Sequence, residues 1–290
     1  MSELAFDRSL VPHYGVEERL SARIGRLLAN NPGPFTFQGT GVYIVGKGDH
    51  VAVIDPGPDM PEHTAALTRA LGCRTVSHIL ITHTHRDHSP AAAALREWTG
   101  AKTFAFGPHP RNGEDVEAGG DRAFVPDVTV RDGDILAGDG FTLECVYTPG
   151  HISNHMCYAL KEEDALFTGD HVMGWSTSVV APPDGNMADY MRSLEKLIAR
   201  GDSILYPTHG SPITRPGPFL RASLAHRRMR ERQIRDCLAS GAASVGAIVD
   251  RLYAGIAPDL RGAAAAMVQA HLEKLRAEGR ARDCGGIWTP

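Results

Sequence analysis

The chain has 290 residues, 42% of them hydrophobic and 22% charged, with a formal net charge of −4. This is an ordinary globular composition, sized for one large domain or a main domain with a small appendix, and it excludes a membrane-spanning protein because no apolar stretch is long enough to cross a bilayer. The N-terminus has no basic region followed by an apolar run, and the five cysteines are scattered with no C-x-x-C, so a reduced, cytoplasmic protein is expected.

Residues 19–28 fit a strand and a helix equally, and Asn31-Pro32-Gly33-Pro34 then breaks the chain. Residues 39–46 and 51–57 read as two strands of a hairpin turned around residues 47–50. The second strand ends in Asp55-Pro56-Gly57, where Asp55 either braces a nearby site or caps the turn. A helix starts at Pro61 and runs to about residue 71. Residues 76–81 are rich in β-branched side chains and read as a buried strand. Thr82-His83-Thr84-His85-Arg86-Asp87-His88-Ser89 follows, and Ser89-Pro90 reads as an N-cap and the first residue of a helix.

Residues 101–106 form another strand. Residues 107–127 are polar and glycine-rich, either a flap over a site or a surface excursion. Residues 128–136 with 141–148 are expected to form a second hairpin, and 156–160 with 165–168 a third. Asn186 caps a helix whose stripe of Met187, Tyr190, Met191, Leu194, Leu197 and Ile198 is core packing.

From residue 216 on, the pattern turns helical and the charge changes sign, with 12 Lys and Arg against 7 Asp and Glu. A long helix is expected over 219–238, a short one capped by Ser244, another over 259–278, and a final hairpin around Gly285-Gly286. The long helix carries Arg221, Arg227, Arg228, Arg230, Arg232 and Arg235, either a guide for a polyanion or a solvated face. The division expected is 1–215, a connecting basic helix over 216–240, and a small unit over 241–290.

The chemistry concentrates in the stretch after the central strand, where four metal-competent side chains fall within six positions. His83 and His85 are two apart and leave a strand on one face, while Asp87 and His88 can reach a second point, which suggests two metal positions. Three more strands end in a turn and one ligand type: Thr148-Pro149-Gly150-His151, Thr168-Gly169-Asp170 and Pro207-Thr208-His209. His and Asp without a Cys partner suit zinc, iron or manganese. In open α/β architectures the carboxyl ends of the strands are where ligands bind.

This set resembles the metallo-β-lactamase fold superfamily: a His-x-His-x-Asp-His motif at His83 to His88, then His151, Asp170 and His209 in that order. The resemblance implies an α/β fold, an αββα sandwich with a two-metal site at its edge. It further implies that His83, His85 and His151 hold the first metal and Asp87, His88 and His209 the second. Asp170 bridges them, and Asp87 and Asp170 are the catalytic carboxylates. The helix, helix, helix, hairpin pattern at the C-terminus is similar to the winged-helix domain of the β-lactamase-like protein 2 subfamily. Tyr190-Met191-x-Ser193-Leu194 and His226-Arg227-x5-Gln233-Ile234 also resemble that subfamily.

Two metals, expected as zinc, share a hydroxide nucleophile that exists at neutral pH. The expected activity is therefore hydrolysis of an ester or phosphodiester, with single-stranded RNA as the substrate that the subfamily implies. The alternative is a glyoxalase-II-like thioesterase acting on small acyl-thiols. A non-enzymatic nucleic-acid-binding protein is a third and weaker alternative. Asp170 in place of cysteine disfavours the lactamases with an Asp-Cys-His second site, and His85 in place of glutamate disfavours the flavodiiron proteins. A mononuclear-iron persulfide dioxygenase keeps similar motifs, but its C-terminal region does not resemble this one. The C-terminal unit either guides a polyanion or serves homodimer formation or packing. His155 and His171 flank ligand positions and read as packing residues or proton shuttles, and Ser176, Thr177 and Ser178 read as pocket lining.

Overall fold

The computed structural model describes residues 4–110, 119–241 and 243–290. Two sheets face each other. The first holds seven strands in chain order: β1 (Glu17–Arg19), β2 (Ile24–Leu28), β3 (Gly41–Val45), β4 (His50–Ile54), β5 (Thr75–Leu80), β6 (Lys102–Ala105) and β7 (Val128–Thr129). The second has the order β12-β11-β10-β9-β8, built from β8 (Ile135–Gly138), β9 (Phe141–Tyr147), β10 (Met156–Leu160), β11 (Ala165–Gly169) and β12 (Ile204–Pro207). Helices α1 (Pro61–Leu71) and α2 (Ala91–Thr99) cover the first sheet, and α3 (Met187–Arg200) covers the second.

The sequence produces these layers through strict alternation. On β3, Val42 and Ile44 pack with α1 and α2, while Tyr43 and Val45 face the other sheet. On β10, Met156, Tyr158 and Leu160 face the inter-sheet core, and Cys157 and Ala159 face α3. Strands buried on both faces read as unbroken apolar runs, because each parity has its own core to fill.

The ambiguous residues 19–28 resolve as strands. Arg26 is buried on β2, with its guanidinium donating to Glu18 Oε2 at 2.6 Å and Gly210 O at 3.2 Å. The expected hairpin of 128–136 with 141–148 is corrected in part. Val128–Thr129 pairs with β6 in the first sheet, and only Ile135–Gly138 pairs with β9. The chain crosses between layers through a polar turn, where Arg131 N donates to Asp134 Oδ2 at 2.7 Å and Gly133 takes φ +83°. Ser89 is not the cap of α2: its hydroxyl donates to Asp121 Oδ2 at 2.7 Å, and the helix starts after Pro90 without a side-chain cap.

The long basic helix is α4 (Pro216–Ala239). Beyond it, α5 (Val245–Leu252), α6 (Arg261–Ala277) and a three-stranded sheet of β13 (Ala243–Ser244), β14 (Arg282–Asp283) and β15 (Ile287–Thr289) enclose their own core around Val268, Leu272 and Trp288. Met267 and Ala270 of α6 instead join the core of α3, so this unit is packed onto the sandwich. Among the described residues no helix is long and apolar enough to cross a membrane.

Candidate metal centre

Four loops at one edge of the sandwich, following β5, β9, β11 and β12, bring all seven expected side chains together. His83, His85 and His151 offer ligand atoms within 4.8 Å of one another, as do Asp87, His88, Asp170 and His209, and all seven residues are buried. His85 Nδ1 lies 2.9 Å from His83 Nε2 and 3.2 Å from His151 Nε2. Asp87 Oδ2 lies 3.1 Å from His209 Nε2 and 3.4 Å from His88 Nε2. Asp170 sits between the two sets. Its Oδ2 is 3.5 Å from His88 Nε2, 3.9 Å from His151 Nε2 and 4.0 Å from His83 Nε2, and its Oδ1 is 3.4 Å from His209 Nε2.

Gly169 makes the Asp170 turn possible. It takes φ +50°, and a Cβ there would lie 2.5 Å from His155 Nε2 and 2.8 Å from Thr82 Oγ1. Gly169→Ala is therefore expected to lower stability by about 2 kcal/mol, from the left-handed backbone and the displaced neighbours together. An unchanged denaturant midpoint would show that the turn tolerates a side chain.

A second ring of acceptors orients the histidines. His151 Nδ1 is 2.7 Å from Val179 O and His209 Nδ1 is 3.1 Å from Gly39 O. A carbonyl only accepts, so each Nδ1 carries a proton and each Nε2 is the ring atom turned into the cluster. Asp55 does the same for His88. Its Oδ2 is 2.9 Å from His88 Nδ1, and it also accepts from Thr82 N at 2.7 Å and Thr82 Oγ1 at 2.7 Å. Of the two roles open for Asp55 in the sequence, the geometry shows the brace.

The charges divide the cluster in two. Burial, then His88 and His85, hold His83 well below the ordinary imidazole range, and burial with His151 pushes His85 down to about 3. These are neutral lone pairs crowded together. Burial also opposes charge on His88 and His209, but the carboxylates outweigh it: Asp87, Asp170 and Asp55 hold His88 above its ordinary range, and Asp170 and Asp87 lift His209 to about 10. Asp87 and Asp170, which burial alone would raise, are pulled below the carboxylate range by these same two rings. His88 Nε2 and Asp170 Oδ1 are buried with no hydrogen-bond partner, which is costly for atoms of this kind. Converging neutral nitrogens beside two carboxylates that demand positive charge suit a pair of divalent transition-metal ions.

His155 is a positioning group: its Nε2 accepts from Asp170 N at 3.2 Å, and its Nδ1 lies 2.9 Å from Thr148 Oγ1. His171 is fully buried against Tyr190, with ring centroids 4.6 Å apart. Ser178 donates to His171 O at 3.0 Å. Of the expected flap over 107–127, residues 111–118 lie outside the described residues. Residues 119–121 pair with the metal loop, Arg86 N donating to Gly119 O at 3.0 Å and Asp121 N to Thr84 O at 2.8 Å. Thr84, His109 and Asn154 were not anticipated. Thr84 Oγ1 is 2.9 Å from His109 Nδ1 and accepts from Asn154 Nδ2 at 2.8 Å, which ties three loops together behind His85. Gly120 was the available signal, since a Cβ there would overlap the His109 ring.

Residues 36–209 match the family model described as the metallo-beta-lactamase superfamily, and residues 244–288 match that of the beta-lactamase associated winged helix domain. Similar curated proteins include the lactamase-like protein nscB of Neosartorya fischeri, 37% identical over 73% of this chain and 60% of that protein. Another is the atrochrysone carboxyl ACP thioesterase AacuM of Aspergillus aculeatus, 34% identical over 82% of this chain and 70% of that protein. The chain thus spans less than two thirds of the first of these relatives. Among solved structures, a metallo-beta-lactamase family protein from Thermus thermophilus superposes with a TM-score of 0.77 at 24% identity, covering 93% of this chain and 99% of that one. A beta-lactamase domain protein from Burkholderia ambifaria gives 0.80 at 19% identity, covering 97% and 95%. At these identities the superpositions establish the fold, including its C-terminal unit.

Proposed function

The chain belongs to the metallo-beta-lactamase superfamily, and from that membership we propose that it is a two-metal hydrolase that cleaves acyl thioesters. His83, His85 and His151 would hold one ion and Asp87, His88 and His209 the other, with Asp170 between them; zinc, iron or manganese would accept these ligands. When bound, such ions supply Lewis acidity and lower the pKa of a water toward neutrality. The chain's own part is to hold seven donors in place inside a buried cluster and to set two carboxylates, Asp87 and Asp170, against the positive charge. The two thiols inside the sandwich are poor nucleophiles: burial pushes Cys145 and Cys157 up to about 12. The observation that carries this proposal is the position of Asp170, within 4.0 Å of histidines from both sets.

An acyl thioester is favoured over single-stranded RNA by the packing of α6 and by the names of the relatives. A polyanion guide needs exposed, unpaired guanidiniums. The basic face of α4 is divided: Arg227 is only 2% exposed, whereas Arg221, Arg228, Arg232 and Arg235 are exposed. Arg228 donates to Glu195 Oε1 at 2.7 Å, and Arg230 lies over the Tyr253 ring at 4.6 Å. The helix that would enter a nucleic-acid groove, α6, buries Met267 and Ala270 against the core of α3. Relatives named atrochrysone carboxyl ACP thioesterases, 34% and 36% identical to this chain, point the same way.

The test pairs S-acyl-N-acetylcysteamine and S-acyl-glutathione with single-stranded RNA. Thioester hydrolysis that a chelator abolishes is the expected result, with two metal ions per chain. Cleavage of RNA with the thioesters untouched would reverse the assignment. Chelation is also expected to lower the unfolding temperature, because ions that bind only the folded cluster stabilise it. A protein whose melting is indifferent to chelator would lack the metals.

A further inference from the structure

The three histidines of the first set come from two turns, His83 and His85 from the one after β5 and His151 from the one after β9. Their ring nitrogens converge on one point only if the two turns keep a fixed separation. At the base, Met156 N donates to Thr82 O at 2.7 Å. Further out the link is a side chain. Asn154, buried on the His151 turn, donates from Nδ2 to Thr84 Oγ1 at 2.8 Å. Thr84 stands between His83 and His85 in the chain, so this bond reaches into the middle of the other turn.

The orientation of the Asn154 amide is fixed by a second bond. Nδ2 also donates to Pro108 O at 3.1 Å, and a carbonyl only accepts, so the nitrogen must face it. Both N–H groups are thereby engaged, while Oδ1 is left buried with no partner. A bare buried acceptor is destabilising, so the two donated bonds outweigh it in holding the amide. Thr84 is pinned from its other side. His109 Nδ1 lies 2.9 Å from Thr84 Oγ1 and 3.1 Å from Thr84 O, and Asp121 N donates to Thr84 O at 2.8 Å. None of these residues is one of the seven clustered side chains, and none belongs to the brace of Asp55, Thr82 and His88.

We propose that Asn154 is a positioning residue for the three-histidine set: through Thr84 it fixes the distance between the His85 and His151 turns, and so sets metal affinity at that position. The proposal rests on the two-metal reading of the cluster and deepens it. Each position has its own brace, a neutral one through Asn154 and Thr84 and a charged one through Asp55, so the two affinities can be tuned separately.

The test loads the metal-stripped full chain with cobalt(II), whose visible absorption reports ligand geometry, and then titrates it with a chelator. Wild type is expected to hold two ions. Asn154→Ala and Thr84→Val should each weaken one ion about 10–100-fold and shift the cobalt spectrum, with the other ion held as in wild type. Thr84→Ser keeps the hydroxyl and should restore wild-type binding and spectrum. The double variant Asn154→Ala with Thr84→Val should fall short of the product of the single effects, because both remove one shared bond. Adding Asp55→Asn to Asn154→Ala should weaken the second ion as well. Unfolding curves check that each variant folds, and changes on two separate turns guard against one that does not. Variants that bind both ions as wild type does, or that lose both ions alike, would overturn the positioning role while leaving the two-metal reading intact. Wild type that holds fewer than two cobalt ions would sink that reading, and this proposal with it.

Discussion

Asp170→Asn is expected to reduce hydrolysis by at least about 10³-fold, corresponding to roughly 4 kcal/mol of lost transition-state stabilisation. Metal content should fall at both positions together, because one carboxylate faces His88 and His209 with one set and His83 and His151 with the other. The amide keeps the shape but removes the charge and turns one oxygen into a donor. Local unfolding is not the expected cause, since His155 Nε2 still accepts from the backbone N at position 170, 3.2 Å away. Metal analysis and initial rates decide it: a variant with two ions and an undiminished rate would end the bridging role.

Asp55→Asn should act one step further out. Asn tolerates the left-handed φ of +49° at this position, so the backbone should survive. The hydrogen bonds should not. His88 Nδ1 and Thr82 Oγ1 both lie against Oδ2, at 2.9 and 2.7 Å, and an amide NH2 there would face donors with donors. Metal affinity at the set containing His88 is expected to fall about 10–100-fold, the usual cost of losing such a partner. The three-histidine set should be affected less. Chelator titration that removes both ions in one step, at the wild-type concentration, would show that Asp55 only holds its turn.

The seven clustered side chains were legible in the sequence because each lies on a turn after an apolar strand, and the ends of β5 in the first sheet and of β9, β11 and β12 in the second meet at one edge of the sandwich. The alternation that places Val42 and Tyr43 on opposite faces was legible for the same periodic reason. What stayed hidden depended on partners distant in sequence. Asp55 reads as a brace only once Thr82 and His88 are seen beside it. Arg227 and Arg230 of α4 read as part of the same solvated stripe as Arg221, Arg228, Arg232 and Arg235 until Met267 and Tyr253 pack over them. The strand over 128–136 was misjudged because hydrophobic pattern fixes which face is buried, not which of two stacked sheets receives it.

The bond between His209 Nδ1 and Gly39 O, like those of Gly41 N to Thr208 O and Tyr43 Oη to Pro207 O, joins the beginning of the sandwich to its end. During synthesis the three-histidine set is complete in composition once His151 has been made, whereas the other set waits for His209 and for the first sheet to meet β12. At about 5–20 residues per second that interval lasts seconds, long compared with strand pairing. The growing polypeptide thus passes through a stage with half a cluster and an unpartnered sheet edge. Co-translational loading of the two positions would then be sequential, with the three-histidine set the first to be able to capture a metal.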